Sequence, residues 1–499
     1  MQLLLLLLHL LPTSTSYFQL AAACVLCFAG FLFLLHSRHL LVGKHKLPPG
    51  SLGLPLLGET LQFALLSTTP IGTPLPFFSC RMQRYGTIFK THLLGRPTVV
   101  SMDPELTHFL LRNEGKLVQA YFPKFFKRIL GPLLAAQGAS HRALRELANI
   151  QFSSSGVRNL HVETLQEHFW TCLESWQCAP SKVVDAQHDC KEWVFSYSVK
   201  LILGLEADNP ITALLMHDFV KLSDGYASAP INLPGTKFNK TLKARQRIVS
   251  TFTKLARSRK LEGRKEAKDM LDLLLQRCDE SGEQYNGIPV AEWVFIFVMA
   301  AFENTFVLIV NILKFLSENA DVIKELKREN MAIQSSKTHK EKLTWDDYLQ
   351  KMNFTRSVVK ETLRIANIAP FLMKETTEEI FFKDIVIPRG WMVVLNSASI
   401  HLNSSYFSKP LRFDPWRWMD TQNDKTTNNP DFLTPFGGGM RSCNGYPMAM
   451  FEASIFIHYL VTLYKWERVF KRDAQHDEVS CLSFPIMHNG LFLKVQPLD

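Results

Sequence analysis

The stretch Phe436-Gly-Gly-Gly-Met-Arg-Ser-Cys-Asn-Gly445 precedes an apolar run that predicts a final helix from about Pro447 to Leu463. Consecutive glycines let the backbone turn tightly, and Cys443 stands just before a helix N-terminus, where N–H groups and the helix dipole favour a thiolate. That environment suits a metal-bound sulfur. A single cysteine in such a loop also fits a purely structural role, and a Gly-Gly-Gly turn also fits a phosphate cradle. No strand followed by Gly-Lys-Ser/Thr is present, which weakens the phosphate reading.

Working outward from this loop, Glu361-Thr-Leu-Arg364 sets an acid and a guanidinium on one face of a helix. Short β-rich stretches lie at Ile88 to Leu94 and Thr98 to Ser101, and helical periodicity runs from about residue 120 to 365. A second β-rich piece surrounds Ile380 to Val394, followed by loops to residue 442. The predicted fold is therefore mainly α with a small β portion. Between Trp293 and Leu313 the only charge is Glu303, so hydropathy alone would nominate a membrane span. Glu303, Asn304 and Thr305 in its middle would be costly in lipid, which favours a buried core helix with a polar notch facing a cavity. The basic stretch Arg257 to Lys268 reads as a solvated loop between helices.

At the N-terminus, leucines from Leu3 to Leu8 precede an apolar stretch from Phe18 to Leu35, just long enough to cross a bilayer. Arg38, Lys44 and Lys46 follow it, and no basic residue precedes the leucines. This pattern predicts an uncleaved anchor with the rest of the chain in the cytosol. Lys46-Leu-Pro-Pro-Gly-Ser-Leu-Gly-Leu-Pro then forms a stiff segment, because proline fixes φ and removes donors. A net charge of +10 suits an anionic membrane surface or an acidic protein partner. No zinc-finger spacing, aromatic-basic platform or basic recognition helix is present, so nucleic acid is not an expected partner. Phe outnumbers Tyr and Trp together, 36 against 11 and 9, as expected of large apolar interiors. Nine scattered cysteines lack the density of a disulfide framework and suggest a reducing compartment with mostly buried thiols. Cys24 and Cys27 form a CxxC inside the apolar run, without a second pair or histidines to complete a metal site.

Phe436, Gly439, Arg441, Cys443 and Gly445 together match Phe-x-x-Gly-x-Arg-x-Cys-x-Gly, which resembles the haem-binding signature of cytochromes P-450. Glu361-Thr-Leu-Arg364 resembles the family's Glu-x-x-Arg pair, and Phe413-Asp-Pro-Trp-Arg417-Trp the segment whose arginine completes a triad. The resemblance runs from the proline hinge to the C-terminus. It implies a cytochrome P-450 fold preceded by an N-terminal transmembrane helix, with 1–36 the anchor, 37–58 a basic and proline-rich hinge, and 59–499 a haem-thiolate monooxygenase domain. It further implies haem b, with Cys443 as axial ligand of the iron. His141, Arg145 and Arg441 would meet the propionates, and Lys374 lies where many relatives have arginine.

Glu303 and Asn304 would line the distal side, Asn304 standing where the family usually has threonine. Asn444 follows the cysteine, where proline is common, and Met440 lies within the haem loop. The implied partners are O2, a small apolar substrate and a separate NADPH-dependent reductase, since no flavin or nicotinamide motif is visible. Ser228 to Thr236, Leu343 to Tyr348, Phe484-Pro and Asn489-Gly-Leu491 look most like sterol C-22 hydroxylases of brassinosteroid biosynthesis. Apolar residues from Ile368 to Leu372 suit a bulky substrate. The implied location is the endoplasmic reticulum membrane, single-pass, with the catalytic domain cytosolic. Two alternatives stay open: a triterpenoid or diterpenoid hydroxylase, and a haem-binding protein with lost or altered turnover.

Overall fold

The apolar run around Glu303 forms the longest helix of the molecule's described part, Val290–Ser317, and other helices pack around it. The computed structural model describes residue 30 and residues 46–54, 58–178, 182–264, 266–278, 282–338, 341–419, 432–470, 478–480 and 484–498. The anchor expected at 1–36, Gly30 apart, and the basic flank before Lys46 lie outside the described residues.

Eight strands matter for the site and its support: β1 (Ile88–Leu93), β2 (Arg96–Ser101), β3 (Val118–Ala120), β4 (Val183–Asp185), β5 (Leu372–Thr376), β6 (Met392–Leu395), β7 (Tyr464–Val469) and β8 (Phe492–Pro497). The two β-rich stretches seen in the sequence build one sheet, in the order β1-β2-β6-β5-β3. Only the β6–β2 pair is parallel, with Met392 opposite Thr98 and Leu395 opposite Ser101. A second sheet, β7-β8-β4, was not anticipated. Its members are short and far apart in sequence, so no local periodicity announces them.

The helices that carry the argument are α1 (Pro104–Arg112), α2 (Gly138–Phe152), α3 (Ala186–Leu203), α4 (Pro210–Ser223), α5 (Lys237–Glu262), α6 (Val290–Ser317), α7 (Ala320–Ser335), α8 (Asn353–Ala366) and α9 (Tyr446–Leu463). Local chemistry sets several ends. Asp103 caps α1 by accepting from Leu106 N–H, with Pro104 at the first position, and α8 stops at left-handed Asn367. Among the described residues α6 alone is long and apolar enough to cross a membrane, but 78% of its most apolar window is buried in protein. It is a core helix, as its polar centre predicted. Phenylalanines fill much of the space around it: Phe195 meets Phe302 edge-on at 5.0 Å, and Phe219 stacks on Phe295 at 5.8 Å.

Two expectations need correction. Arg257 to Lys268 is not simply a solvated loop, because α5 continues to Glu262 and Arg259 is buried within it. Arg259 donates to Asp269 at 2.6 Å, to Asp272 at 2.8 Å and to the Leu203 carbonyl at 2.8 Å. A buried guanidinium needs such partners, and they come from residues beyond any helical period. The thiols are also less buried than expected. Among the described cysteines only Cys190 is buried, Cys172 and Cys278 are half-buried, and Cys80, Cys178 and Cys443 are exposed.

The proline segment is fastened to the large sheet's surroundings. Lys46 bridges Ile385, Gly50 bridges Lys90, and Lys90 Nζ donates to the Pro48 carbonyl at 3.1 Å. A side chain on Gly50, at φ 136°, would strike the Lys90 carbonyl.

Candidate functional site

The cysteine loop is held by its own backbone. Cys443 N–H donates to the Phe436 carbonyl at 3.0 Å, Ser442 N–H to Gly439 at 3.2 Å, and Gly437 N–H to Thr434 at 3.0 Å. Gly439 has φ +65°, and a Cβ there would lie 2.1 Å from the Leu111 carbonyl, so the loop backs directly onto the end of α1. The Phe436 ring meets Tyr446 edge-on at 4.9 Å. Cys443 therefore heads α9, a core helix, and the residue as a whole is exposed although its sulfur lies among protein atoms. Backbone N–H groups of Gly445 and Tyr446 point to its sulfur and, with Arg145, favour the thiolate, but burial among protein atoms is the larger effect and raises the thiol above its ordinary range. A metal ion bound to this sulfur would favour the thiolate further.

Around the loop the structure gathers cations from distant parts of the chain. Arg145 Nη1, from α2, donates to the Ser442 carbonyl at 2.8 Å. Arg441 Nη2 donates to the Ala136 carbonyl at 2.6 Å. Lys374, from β5, is buried and ion-paired with Glu114 at 2.7 Å, and Arg441 Nε lies 2.7 Å from the other oxygen of the same carboxylate. His141 is buried in this field. Desolvation lowers its pKa most, and Arg441, Arg145 and Lys374 lower it further, against the opposing pull of Glu114. Lys374 is likewise lowered by desolvation, with Glu114 opposing. Sequence reasoning missed Glu114: a glutamate two residues past a helix end carries no pattern of its own.

Behind the loop, Glu361 of α8 is fully buried and four groups from two segments converge on it. Arg364 donates to both oxygens at 3.0 and 2.8 Å, Arg417 Nε at 3.1 Å, Trp418 Nε1 at 2.9 Å and Asp414 N–H at 3.0 Å. The remaining Arg364 nitrogen, Nη1, reaches the carbonyls of both His401 and Pro410 at 2.7 Å, so the Glu361–Arg364 pair is hydrogen-bonded at every terminal nitrogen and oxygen, while Arg417 Nη2 makes no hydrogen bond within the described structure. Trp418, the last residue of the quoted segment, is a further partner of Glu361 to which the sequence reading gave no role.

On α6, Glu303 and Asn304 occupy different environments. Asn304 and Ala300, one turn apart, are exposed on a helix that is otherwise mostly buried. Glu303 is buried, its carboxylate accepting from the Ser223 hydroxyl at the end of α4. Burial raises its pKa to about 7, with the Ser223 bond and Lys191 pulling it down. The 100° between consecutive helical residues accounts for the separation. After the cysteine, the Asn444 side-chain amide bonds Asn149 and reaches the Arg145 carbonyl at 3.4 Å, so it ties the loop to α2.

An exposed cysteine at the head of one core helix, an exposed amide in the middle of another, and a basic cluster beside the cysteine fit a metal-bearing, anionic group. Comparison with known proteins agrees. The cytochrome P450 family profile matches residues 48–488. A cholesterol 16,22-dihydroxylase of Trigonella foenum-graecum is 34% identical over 96% of this chain and 98% of its own length. A cholesterol 22-monohydroxylase of Paris polyphylla is 31% identical over 91% of this chain and 94% of its own. Among solved structures, a cyanobacterial CYP120A1 bound to retinoic acid superposes with TM-score 0.78 at 25% identity, covering 91% of this chain and 100% of that one. Fold, profile and relatives converge on one conclusion, that this chain belongs to the cytochrome P-450 family and is a monooxygenase, with the haem and iron which that family implies.

Proposed function

We propose that this monooxygenase hydroxylates a sterol, of the brassinosteroid type and at C-22, with one atom of O2 and electrons passed from NADPH by a separate reductase. The single observation that carries the haem-thiolate part is the exposed residue Cys443 at the head of α9, with two backbone N–H groups directed to its sulfur. The sterol part is supported by the cholesterol-hydroxylating relatives named above. Haem, when bound, supplies the oxygen activation and the insertion into a C–H bond.

Cys443 would hold the haem iron in this reading, and Phe436 and Gly439 shape the loop that presents it. Arg441, Arg145, His141 and Lys374 would hold the haem propionates. Glu361, Arg364 and Arg417 form the structural triad that fixes the segment ahead of the loop. Asn304, exposed on α6, would donate a hydrogen bond to the oxygen being activated. Glu303 holds an exchangeable proton near neutral pH, hydrogen-bonded to Ser223 rather than sharing the exposure of Asn304. Residues 1–36 anchor the protein in the endoplasmic reticulum membrane, 37–58 form the hinge, and 59–499 make the cytosolic catalytic domain.

A red-shifted Soret band in the reduced, CO-bound protein is the test of ligation, because a strongly donating axial sulfur produces it. Cys443→Ser is expected to abolish the band completely, and its persistence in Cys443→Ala would remove Cys443 as ligand. Substrate-induced spectral shifts and turnover with a reductase, across sterols, triterpenoids and diterpenoids, test the substrate. Asn304 and Asn444 favour one second reading, a haem-binding protein with altered turnover. Sterol-dependent product formation would exclude it.

A further inference from the structure

We infer that Glu114 is a built-in counter-ion of the propionate cluster, holding Lys374 and Arg441 in position and setting the cluster's charge to match a dianionic haem. The inference rests on the haem reading above and goes beyond it, since Glu114 belongs to none of the motifs that identify the family.

Glu114 sits just past α1, where the chain turns back toward β3, and bridges Val118. Residues on either side of it back onto the cysteine loop: the Leu111 carbonyl crowds Gly439, and the Met440 sulfur lies 3.3 Å from where a Cβ on Gly115 would stand. Glu114 is thus fixed against the loop by its backbone. Its side chain is 1% exposed, and it reaches Lys374 through one oxygen and Arg441 through the other, each at 2.7 Å. The Lys374 contact is a hydrogen bond. Arg441 Nε and Glu114 Oε1 are close, but neither makes an aligned hydrogen bond within the described structure. The Arg441 fork is therefore held by charge and by the Ala136 carbonyl, and remains able to turn toward a further anion.

A lone buried carboxylate would be costly to ionise, and two buried cations without it more so. Lys374, Arg441 and Arg145 carry three positive charges and Glu114 one negative, which leaves the excess of two that the two propionates carry. Burial and the neighbouring cations lower the pKa of His141 in the same field, which disfavours a further positive charge there. The carboxylate also answers a geometric need. Lysine offers a point charge without a planar fork, so a fixed acid must direct it.

The test uses purified full-length protein with its haem, as wild type, Glu114→Gln, Lys374→Gln and the double variant. Spectroelectrochemical titration of the iron is the readout, because packing alone does not give shifts of opposite sign. Reduction adds an electron, so a more positive cluster favours it. Glu114→Gln should raise the ferrous-to-ferric ratio at a fixed potential by about tenfold, Lys374→Gln should lower it by about as much, and the double variant should return to wild type. Shifts of the same sign in the two single variants, or a double variant that does not return, overturn the inference. If Glu114→Gln does not fold, the double variant keeps the wild-type net charge of the cluster, and its return from the Lys374→Gln value decides the matter. A wild type without haem would sink the functional reading and this inference together. A wild type with its Soret band but without opposed shifts sinks only the inference.

Discussion

Glu361 and Glu303 are both buried glutamates on core helices, and they differ in how many partners meet them. Glu361 is met by two guanidinium groups, an indole N–H and a backbone N–H. Glu303 is met by one hydroxyl, and burial lifts its pKa to about 7. The difference teaches that burial alone does not assign a role to a carboxylate. A fully paired one anchors the chain, while an under-paired one exchanges a proton in the physiological range.

The largest expected effect tests the anchored member. Glu361→Gln leaves two buried guanidinium groups without their carboxylate and is expected to cost about 3–5 kcal/mol, read by denaturant unfolding together with loss of bound haem. A stability within about 1 kcal/mol of wild type, on the scale of a surface change, would break the comparison.

Glu303 carries the next effect, with the opposite pH logic. Its folded pKa is raised above the ordinary value of 4.5, so the unfolded chain loses this proton first. No penalty exists below pH 4.5. Stability then falls as pH rises toward 7, at roughly 1.4 kcal/mol for each pH unit, and is flat above it. Glu303→Gln should remove that slope while leaving the protein folded at pH 7. An unchanged slope in thermal melts between pH 4.5 and 7 would show that the carboxylate is ionised throughout.

Asn304 sharpens the comparison on the same helix. An amide donates a hydrogen bond but has no rotatable hydroxyl to pass a proton on, and neighbouring Thr305 is buried on another face. Asn304→Thr is expected to raise product formed per NADPH by a few-fold, and Asn304→Ala to lower it. Equal coupling in all three would place proton delivery elsewhere, with Glu303 and ordered water as the remaining route.

The smallest effect concerns the membrane. Removal of residues 1–36 should release the protein only in part, because Leu61 and Leu65, 68% and 72% exposed, follow the hinge as apolar surface. Complete release in a flotation assay at low salt would remove peripheral contact.

The cysteine loop and Glu361-Thr-Leu-Arg364 were legible in the sequence because each is a local arrangement whose residue types and spacing carry the chemistry. Helix α6 was legible for the same reason: a long apolar run with a polar centre has one inexpensive home, the core of a protein. Arg259 was not, since its partners Asp269 and Asp272 meet it only after the chain reverses. The β7-β8-β4 sheet was hidden likewise, its strands joined by pairing across most of the chain.

By itself, then, the sequence determined the cysteine, its loop, the Glu-x-x-Arg helix and the mainly helical class, all of them set by neighbours within a few residues. The tertiary structure alone decided that Glu114, Lys374 and Arg441 share one buried cluster, that Trp418 joins Arg417 on Glu361, and that Glu303 turns to Ser223 while Asn304 stays open. Those outcomes depend on which distant groups arrive to satisfy a buried charge, and packing, not spacing, brings them there.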